Sequence, residues 1–294
     1  MNAQTPFAIL RDPGQDLQVR CQAAWRIGQS DDVLAVAALL PIVDAAAAPE
    51  ELRATIIEVL RDRNDERVVP ALLRVLARED RTPLAEVCGL ALAHFAPTIG
   101  SLLLDTLGAI EPATYLARFT IMALGYSGDH RAIAALSTMF HDERWVTERS
   151  TILDALHQLG TLPPLKELLA ILRDSRQDRL LRDGIVSSLT FPCTSGATEI
   201  FLSVLRDADE LVRTSAIAGL GACGDASAVA PLLQQLDDPR APVRIEIALA
   251  LGRLGDVRAL PALQAARNND SGSFMGLTVH EACNRAIMLI TRVQ

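Results

Sequence analysis

The chain has 294 residues, of which 50% are hydrophobic and only 4% are aromatic, and its net charge at pH 7 is −8. This length suits either two ordinary domains or one array of repeats, and the small share of aromatic residues argues against a β-sandwich. Because no segment carries a dense run of lysine or arginine, general binding to nucleic acid is also disfavoured.

One sequence pattern recurs along the chain about every 32 residues. Residues 17–43 and 210–236 share the order valine, arginine, apolar stripe, glycine, turn with aspartate, second apolar stripe. If the arginine is taken as the anchor of each repeat, the anchor positions hold Arg20, Arg53, Glu86, Ala117, Arg149, Arg182, Arg213, Arg244 and Glu281. This spacing predicts about eight repeats followed by a terminal half-repeat.

Each repeat is predicted to contain two helices. Positions three, four and seven residues after the anchor are mostly apolar and form one face of a first helix, as at Ala216, Ile217 and Leu220. The second helix repeats such a stripe, and Pro70 and Pro261 fall in its first turn, where a missing N–H costs least. Since neither helix buries its apolar face alone, the sequence predicts an all-α, right-handed α-solenoid.

Two further positions are expected to shape each repeat. Four repeats have a glycine eight residues after the anchor, which we expect to end the first helix in the left-handed conformation: Gly28, Gly125, Gly221 and Gly252. An aspartate four residues later is expected to cap the second helix. Anchor arginines and turn aspartates are predicted to pair within or between neighbouring repeats, the alternative being a row of ligand-binding arginines. These structural positions are Arg20, Arg53, Arg213, Arg244, Asp32, Asp129, Asp225 and Asp256.

The repeat spacing predicts a single domain over residues 1–294. Its predicted parts are an N-terminal cap at 1–16, eight repeats at 17–267, a loop insertion at 268–278 and a C-terminal capping helix at 279–294.

Residues 243–266, with the sequence VRIEIALALGRLGDVRALPALQAA, resemble the HEAT-like repeat in its short bacterial form, the kind found in phycobilisome lyases. The resemblance extends over residues 17–293. It is weaker in the third repeat, where His94 replaces the glycine, and in the sixth, which reads LTFPCTSGA. Together with the absence of catalytic motifs, it implies a non-catalytic scaffold or adaptor that presents a concave helical surface to another protein.

Two departures from the repeat are candidate partner-binding sites. Trp145, with Arg144 and Arg149, lies between repeats, and tryptophan and arginine are enriched at binding hot spots. The alternative for Trp145 is packing inside the protein. Phe274 and Met275 stand among glycine and serine in the insertion at 268–278, where they either cap the last full repeat or close on a partner.

Two other functions are alternatives to a protein-binding scaffold. The segment AAWRIG at residues 23–28 resembles the first repeat of phycobilin lyases, although Arg26 stands where that pattern usually has an aromatic residue. This resemblance implies a bilin lyase-like enzyme or a chromophore-binding chaperone. A nucleic-acid-binding HEAT array, like the alkylpurine glycosylases, would need a basic groove.

No residue pattern in the sequence predicts catalysis. The five histidines form no HExxH motif, His280–Glu281 is a lone HE pair where HEAT-like di-iron hydroxylases have several, and no nucleotide-binding or nucleophile motif occurs in a suitable context. We therefore expect no catalytic residue, no cofactor and no metal. We expect the partner to be another protein with a basic or mixed-charge patch, because this chain is acidic, and we expect neither nucleic acid nor a membrane.

The cysteines are odd in number and far apart in the sequence: Cys21, Cys88, Cys193, Cys223 and Cys283. This distribution predicts buried, reduced side chains rather than a disulfide framework. The N-terminus lacks the basic and apolar regions of a signal peptide, and no apolar stretch is long enough to span a bilayer. We therefore expect a soluble, cytoplasmic protein.

Overall fold

A computed structural model describes residues 5–30, 34–191 and 193–292, and the chain forms two compact units. The first unit spans Met1–Thr161 and the second Leu162–Gln294. The regular structure of both is helical apart from one short hairpin in the second unit. The predicted all-α fold is therefore confirmed, and each unit is a stack of helical pairs of the kind that builds an α-solenoid.

In the first unit, a short helix packs on the first repeat, and the first helices of successive repeats then pack side by side. The helices are α1 (Pro6–Arg11), α2 (Leu17–Gly28), α3 (Ala35–Asp44), α4 (Glu50–Asp62), α5 (Val69–Arg78), α6 (Pro83–Phe95), α7 (Gly100–Leu107), α8 (Tyr115–Ser127), α9 (Ala132–His141) and α10 (Arg149–Gln158). The even-numbered members from α2 onward are the first helices of their repeats, and the odd-numbered members from α3 onward are the second helices.

The second unit continues the same alternation. Its elements are α11 (Leu165–Arg173), α12 (Arg179–Thr190), α13 (Ala197–Ser203), α14 (Glu210–Cys223), α15 (Val229–Leu233), α16 (Ala241–Leu254), α17 (Leu260–Asn269), β1 (Ser273–Phe274), β2 (Leu277–Thr278) and α18 (Val279–Arg292). The first helices α12, α14, α16 and α18 pack in succession, and α18 also packs on α17.

The helix starts follow local side-chain chemistry. Asp16 accepts hydrogen bonds from the first N–H groups of α2, and Asp178 does the same for α12. Pro70 and Pro261 lie in the first turns of α5 and α17, as the sequence predicts. The apolar stripes behind these starts are almost completely buried; Leu220, for example, is 0% exposed.

The expected role of the repeat glycines is wrong. Gly125 and Gly221 lie inside α8 and α14, and the left-handed residues are Gly128 and Gly224, three positions later. A Cβ atom at Gly221 would stand 2.8 Å from the Cα atom of Ala250 in the next first helix. The glycine is therefore needed for close packing between neighbouring first helices, and each helix continues for about one more turn than expected.

Residues 268–278 contain more structure than the predicted loop. Helix α17 runs to Asn269, and β1 and β2 then form an antiparallel hairpin in which Ser273 pairs with Thr278. Its two-residue turn, Met275 and Gly276, has φ values of 47° and 80°. Positive φ at both turn residues is the signature of a type I′ turn, which matches the twist of a hairpin.

The prediction of unpaired cysteines is wrong for two of the five. Cys193 and Cys223 form a disulfide with a Cα–Cα distance of 5.4 Å, whereas Cys21, Cys88 and Cys283 are free and buried. The two bonded residues are 30 positions apart. In a stack of repeats, residues about one repeat apart lie side by side, so separation along the chain is a poor guide to separation in space.

In the described parts of the chain, no helix has the length and apolar character needed to cross a membrane.

Candidate functional site

A groove of about 700 Å³ opens in the second unit between the hairpin and the N-terminal halves of α14 and α16. This volume lies within the range of about 300–1,000 Å³ that is typical of ligand clefts. The residues that line it are Arg179, Asp209, Glu210, Leu211, Thr214, Pro242, Ile245, Glu246, Leu249, Phe274, Met275 and Leu277.

The helical side of the groove is mainly apolar. Ile245 is buried, while Leu211 and Leu249 are half-buried and present part of their side chains to the groove. Leu249 lies five residues after its anchor, away from the apolar stripe that faces the core. The first helices therefore carry apolar groups on a second face, which a helix that only packs within its repeat does not need.

The hairpin that forms the other wall is fixed at its base. Asp270 receives hydrogen bonds from Nε and an Nη atom of Arg244, at 2.5 and 3.0 Å, and from the backbone N–H of Gly272 at 2.8 Å. The side-chain hydrogen bonds from Arg244 lower the pKa of Asp270. At the other end, Thr278 and Glu281 form a reciprocal capping box at the start of α18. The hairpin is thus held from both sides.

The tip of the hairpin is exposed and apolar. Phe274 is 49% exposed and Met275 is 90% exposed. Met275 also adopts a left-handed backbone conformation, which costs a residue with a Cβ atom about 1–2 kcal/mol and is usually left to glycine, asparagine or aspartate. Burial of the Met275 side chain within this chain therefore does almost nothing to offset the cost of this backbone conformation.

Charged groups stand around the apolar surface. Three carboxylates, those of Asp209, Glu210 and Glu246, line the groove, together with a single guanidinium, that of Arg179. Asp209 uses Oδ1 to cap α14 at Leu211, while its Oδ2 lies 3.5 Å from Arg179 Nε. The lining is thus acidic, and two of its carboxylates, those of Glu210 and Glu246, lie on the floor helices α14 and α16.

Anchor arginines bind the ends of second helices on both sides. Arg53 donates through Nε to the carbonyl of Val43, at the end of the preceding second helix, and its Nη atom lies 2.7 Å from Glu79, at the end of its own. Arg182 repeats the arrangement with the carbonyl of Leu172 and the carboxylate of Asp207. Arg20 donates to the carbonyl of Leu10 in the same way. Arg213 and Arg244 instead donate through Nη1 to the carbonyls of Asp207 and Asp238, six residues earlier, and pair with the carboxylates of Asp238 and Asp270.

The described turn aspartates lie at the starts of second helices or of the short 3₁₀ turns before them. Asp225 and Asp256 accept the backbone N–H groups of the residues two positions later. Asp129 does the same, and the side-chain hydrogen bond from Arg131 holds its pKa below the ordinary value. Asp32, the remaining member of the predicted set, lies outside the described residues.

One part of the chain matches a known protein family. The family of HEAT repeats matches residues 198–275, which cover the groove helices and reach the hairpin tip. The solved structure of YibA from Escherichia coli shares 16% identity, with 92% of this chain and 96% of that chain covered and a TM-score of 0.57. Residues 198–275 are thus HEAT repeats, and the helical pairs of the chain have a HEAT-like repeat fold.

Two other solved structures are also similar to this chain. An engineered protein is 15% identical over 97% of this chain and 87% of its own, with a TM-score of 0.50. The complex of CpcE and CpcF of phycocyanin lyase from Nostoc sp. PCC7120 is 17% identical over 100% of this chain and 96% of that chain, with a TM-score of 0.31. A search of curated proteins finds no match.

The second predicted partner site lies in the first unit of the HEAT-like protein. Trp145 sits in a short 3₁₀ helix and is only 6% exposed, so its indole offers a partner little surface. Arg149 donates through Nε to the carbonyl of Phe140, in the manner of the anchor arginines. Arg144 is exposed and forms a two-pronged ion pair with Asp142. The structure thus leaves Arg144 as the accessible member of this group.

Among the described residues, no group of three or more histidine, cysteine, aspartate and glutamate side chains is placed to hold a metal ion. His280 donates a hydrogen bond through Nδ1 to the carbonyl of Arg267, 2.8 Å away, and Glu281 belongs to the capping box. The two residues of the lone HE pair, His280 and Glu281, therefore form hydrogen bonds within the protein at the start of α18.

The sequence pointed to the hairpin tip but missed the helical floor and the acidic rim of the groove. Leu211, Leu249 and Glu246 lie on a helix face that the core stripe does not include. A sequence signal existed, because Leu249 occupies the same position after its anchor as Trp25, which is 38% exposed. A large apolar residue at that position is a mark of a second apolar surface.

Proposed function

We propose that this HEAT-like protein is a non-catalytic interaction scaffold, and that the groove beside the hairpin binds its protein partner. One observation carries the proposal: Met275, almost fully exposed and in a strained conformation, stands with Phe274 beside an apolar floor. Exposed apolar surface that is rimmed by polar groups marks interaction sites, and residues held in unfavourable conformations cluster where function requires them.

The anchored base supports the same function. A partner that binds a flexible loop must first order it, at the expense of affinity. Here the Arg244–Asp270 pair and the capping box at Thr278 already hold the hairpin. A pre-formed wall of this kind lets Phe274 and Met275 contribute their apolar surface without that cost.

An affinity purification at low and moderate salt tests the proposal. The bait is the full chain, compared with Met275→Asp in the groove and Met288→Asp as a matched control, since Met288 is 51% exposed on α18 and does not line the groove. We expect a partner that is retained by wild type and Met288→Asp, lost with Met275→Asp, and bound again when both proteins are purified. Equal retention by all three baits, or turnover of a small molecule by a chain that captures no partner, would reject the proposal.

We also propose that the protein resides in the cytoplasm. The redox state of Cys193 in cells tests this location. A reducing cytoplasm keeps accessible cysteine pairs as thiols, and Cys193 is exposed while Cys223 is half-buried. We therefore expect the pair to be reduced when thiols are trapped with a mass-tagged alkylating agent during lysis. A fully oxidised pair in freshly trapped cells would contradict this location.

A further inference from the structure

We infer that the groove binds a peptide segment that carries a lysine or arginine close to a large apolar side chain. The inference rests on the proposed function, because it names the kind of partner that the same groove accepts. Two properties of the lining lead to it: the acidic rim and the adaptable apolar wall.

The rim carries more negative than positive charge. Among the charged groups that line the groove, Asp209, Glu210 and Glu246 are negative and Arg179 is positive. Arg240 and Arg253 pair with Glu210 and Glu246 from outside the lining. A cationic side chain that enters the groove therefore meets net attraction, while an acidic peptide meets repulsion. The net charge of −8 adds long-range attraction for a basic partner.

The ion pairs that these carboxylates already form are replaceable. Arg179 Nε lies 3.5 Å from Asp209, Arg240 Nε lies 3.5 Å from Glu210, and Arg253 Nη1 lies 3.1 Å from Glu246. The three arginine side chains are exposed, at 61%, 69% and 46%. Exposed pairs of this kind contribute about 0–1 kcal/mol, so a lysine or arginine of the partner can take the place of any one of them at little cost.

The apolar wall suits a large, irregular side chain. Met275 is unbranched and polarizable, and methionine is common on surfaces that accept varied apolar groups. Opposite it, Leu211 and Leu249 are only half-buried. An apolar side chain of the partner would cover both surfaces at once, and each CH₂ group removed from water contributes about 0.8 kcal/mol.

Selection from a random dodecapeptide phage library tests the inference. The full chain is the target, and Met275→Asp is used to remove peptides that bind elsewhere. Enriched peptides are then synthesised with a fluorescent label, and their Kd is measured by anisotropy at two salt concentrations. The charge variants are Glu210→Gln with Glu246→Gln, and the matched control is Glu199→Gln, an exposed carboxylate on α13 that does not line the groove. Thermal unfolding of each variant verifies that it folds.

We expect the enriched peptides to carry lysine or arginine within two positions of leucine, methionine, phenylalanine or tryptophan. Their Kd should rise about tenfold in the double glutamine variant, as the loss of two modest charge contacts implies, and stay unchanged in Glu199→Gln. Peptides that depend on Met275 but lack basic residues would overturn this inference and leave the proposed function standing. A selection that yields no peptide dependent on Met275 would overturn both.

Discussion

The guanidinium of Arg244 donates two hydrogen bonds to the carboxylate of Asp270, which in turn accepts the N–H of Gly272 at the base of the hairpin. The side chains of the pair are only 16% and 17% exposed. Arg244 is also an anchor arginine, since it binds the carbonyl of Asp238 at 2.7 Å. One side chain therefore joins the repeat framework to the wall of the candidate groove.

Replacing Arg244 is expected to weaken the fold and the groove together. In Arg244→Gln, the Asp270 carboxylate loses its partner in a mostly buried place, which costs about 3 kcal/mol of the free energy of unfolding. The hairpin should also exchange its amide hydrogens faster. Urea unfolding and hydrogen exchange measure the two effects. Arg258→Gln is the control, because Arg258 pairs with Asp256 but is 64% exposed. A loss no greater than that of the control would show that the Arg244 pair does not hold the hairpin.

The stability contributed by Asp270 should disappear in acid. Its pKa is lowered from the ordinary value of 3.8 by the side-chain hydrogen bonds from Arg244. A carboxylate with a lowered pKa adds stability that is complete above its unfolded pKa and is lost as the pH falls through its folded pKa. The difference in urea midpoint between wild type and Asp270→Asn should therefore be constant at neutral pH and shrink below pH 3.8. A difference that persists unchanged in acid would mean that the charge of Asp270 is not what matters.

Two neighbouring glycines should respond differently to alanine. In Gly221→Ala the new Cβ atom meets Ala250 at 2.8–2.9 Å, so α14 and α16 must move apart at a cost of about 1–3 kcal/mol. In Gly224→Ala there is open space, and only the left-handed backbone is penalised, by about 1 kcal/mol. Urea midpoints of the two variants provide the comparison. A larger loss for Gly224→Ala would mean that close packing of the helices is not the main role of Gly221.

The disulfide between Cys193 and Cys223 predicts a definite thiol count. Burial raises the pKa of the Cys88 thiol to about 12 and that of Cys283 to about 11, so both react poorly with thiol reagents near neutral pH. We expect no fast-reacting thiol in the oxidised protein, two after mild reduction, and five after reduction and unfolding. Fast reaction of two thiols before any reductant is added would mean that the bond is absent.

Reduction should also lower stability. Closing a loop of about 30 residues stabilises a fold by about 3–4 kcal/mol through the unfolded chain. Cys193→Ser with Cys223→Ser should therefore match the reduced wild type in its urea midpoint, and a reductant should not change the midpoint of the double variant. An equal midpoint for oxidised and reduced wild type would contradict the predicted contribution.

The helical pairs could be predicted from sequence because their signal is periodic and local. Positions three, four and seven after the anchor define a buried stripe, which Ala216, Ile217 and Leu220 illustrate. The exposed apolar pair Phe274 and Met275 was also visible, since large apolar side chains stand out in a segment of glycine and serine. Each of these features depends on residues that are close together in the chain.

Features that depend on neighbouring repeats could not be obtained from the same signal. The role of Gly221 is set by Ala250, and the partner of Cys193 is Cys223, both about one repeat away. Trp145, in a 3₁₀ helix, is likewise buried by residues outside its own segment, which the composition of that segment does not reveal. Both the glycine contact and the disulfide join residues that stand side by side when neighbouring repeats are aligned, so they depend on that alignment and not on the local pattern.

Photo-crosslinking in cells tests the central claim, that the groove beside the hairpin holds a protein partner, most directly. The photoreactive residue p-benzoylphenylalanine replaces Met275 at the hairpin tip in one variant and Met288 on α18 in the other, and both positions are exposed at 90% and 51%. We expect a specific crosslinked protein from position 275 and none from position 288. No crosslink from position 275, or the same crosslinks from both positions, would contradict it.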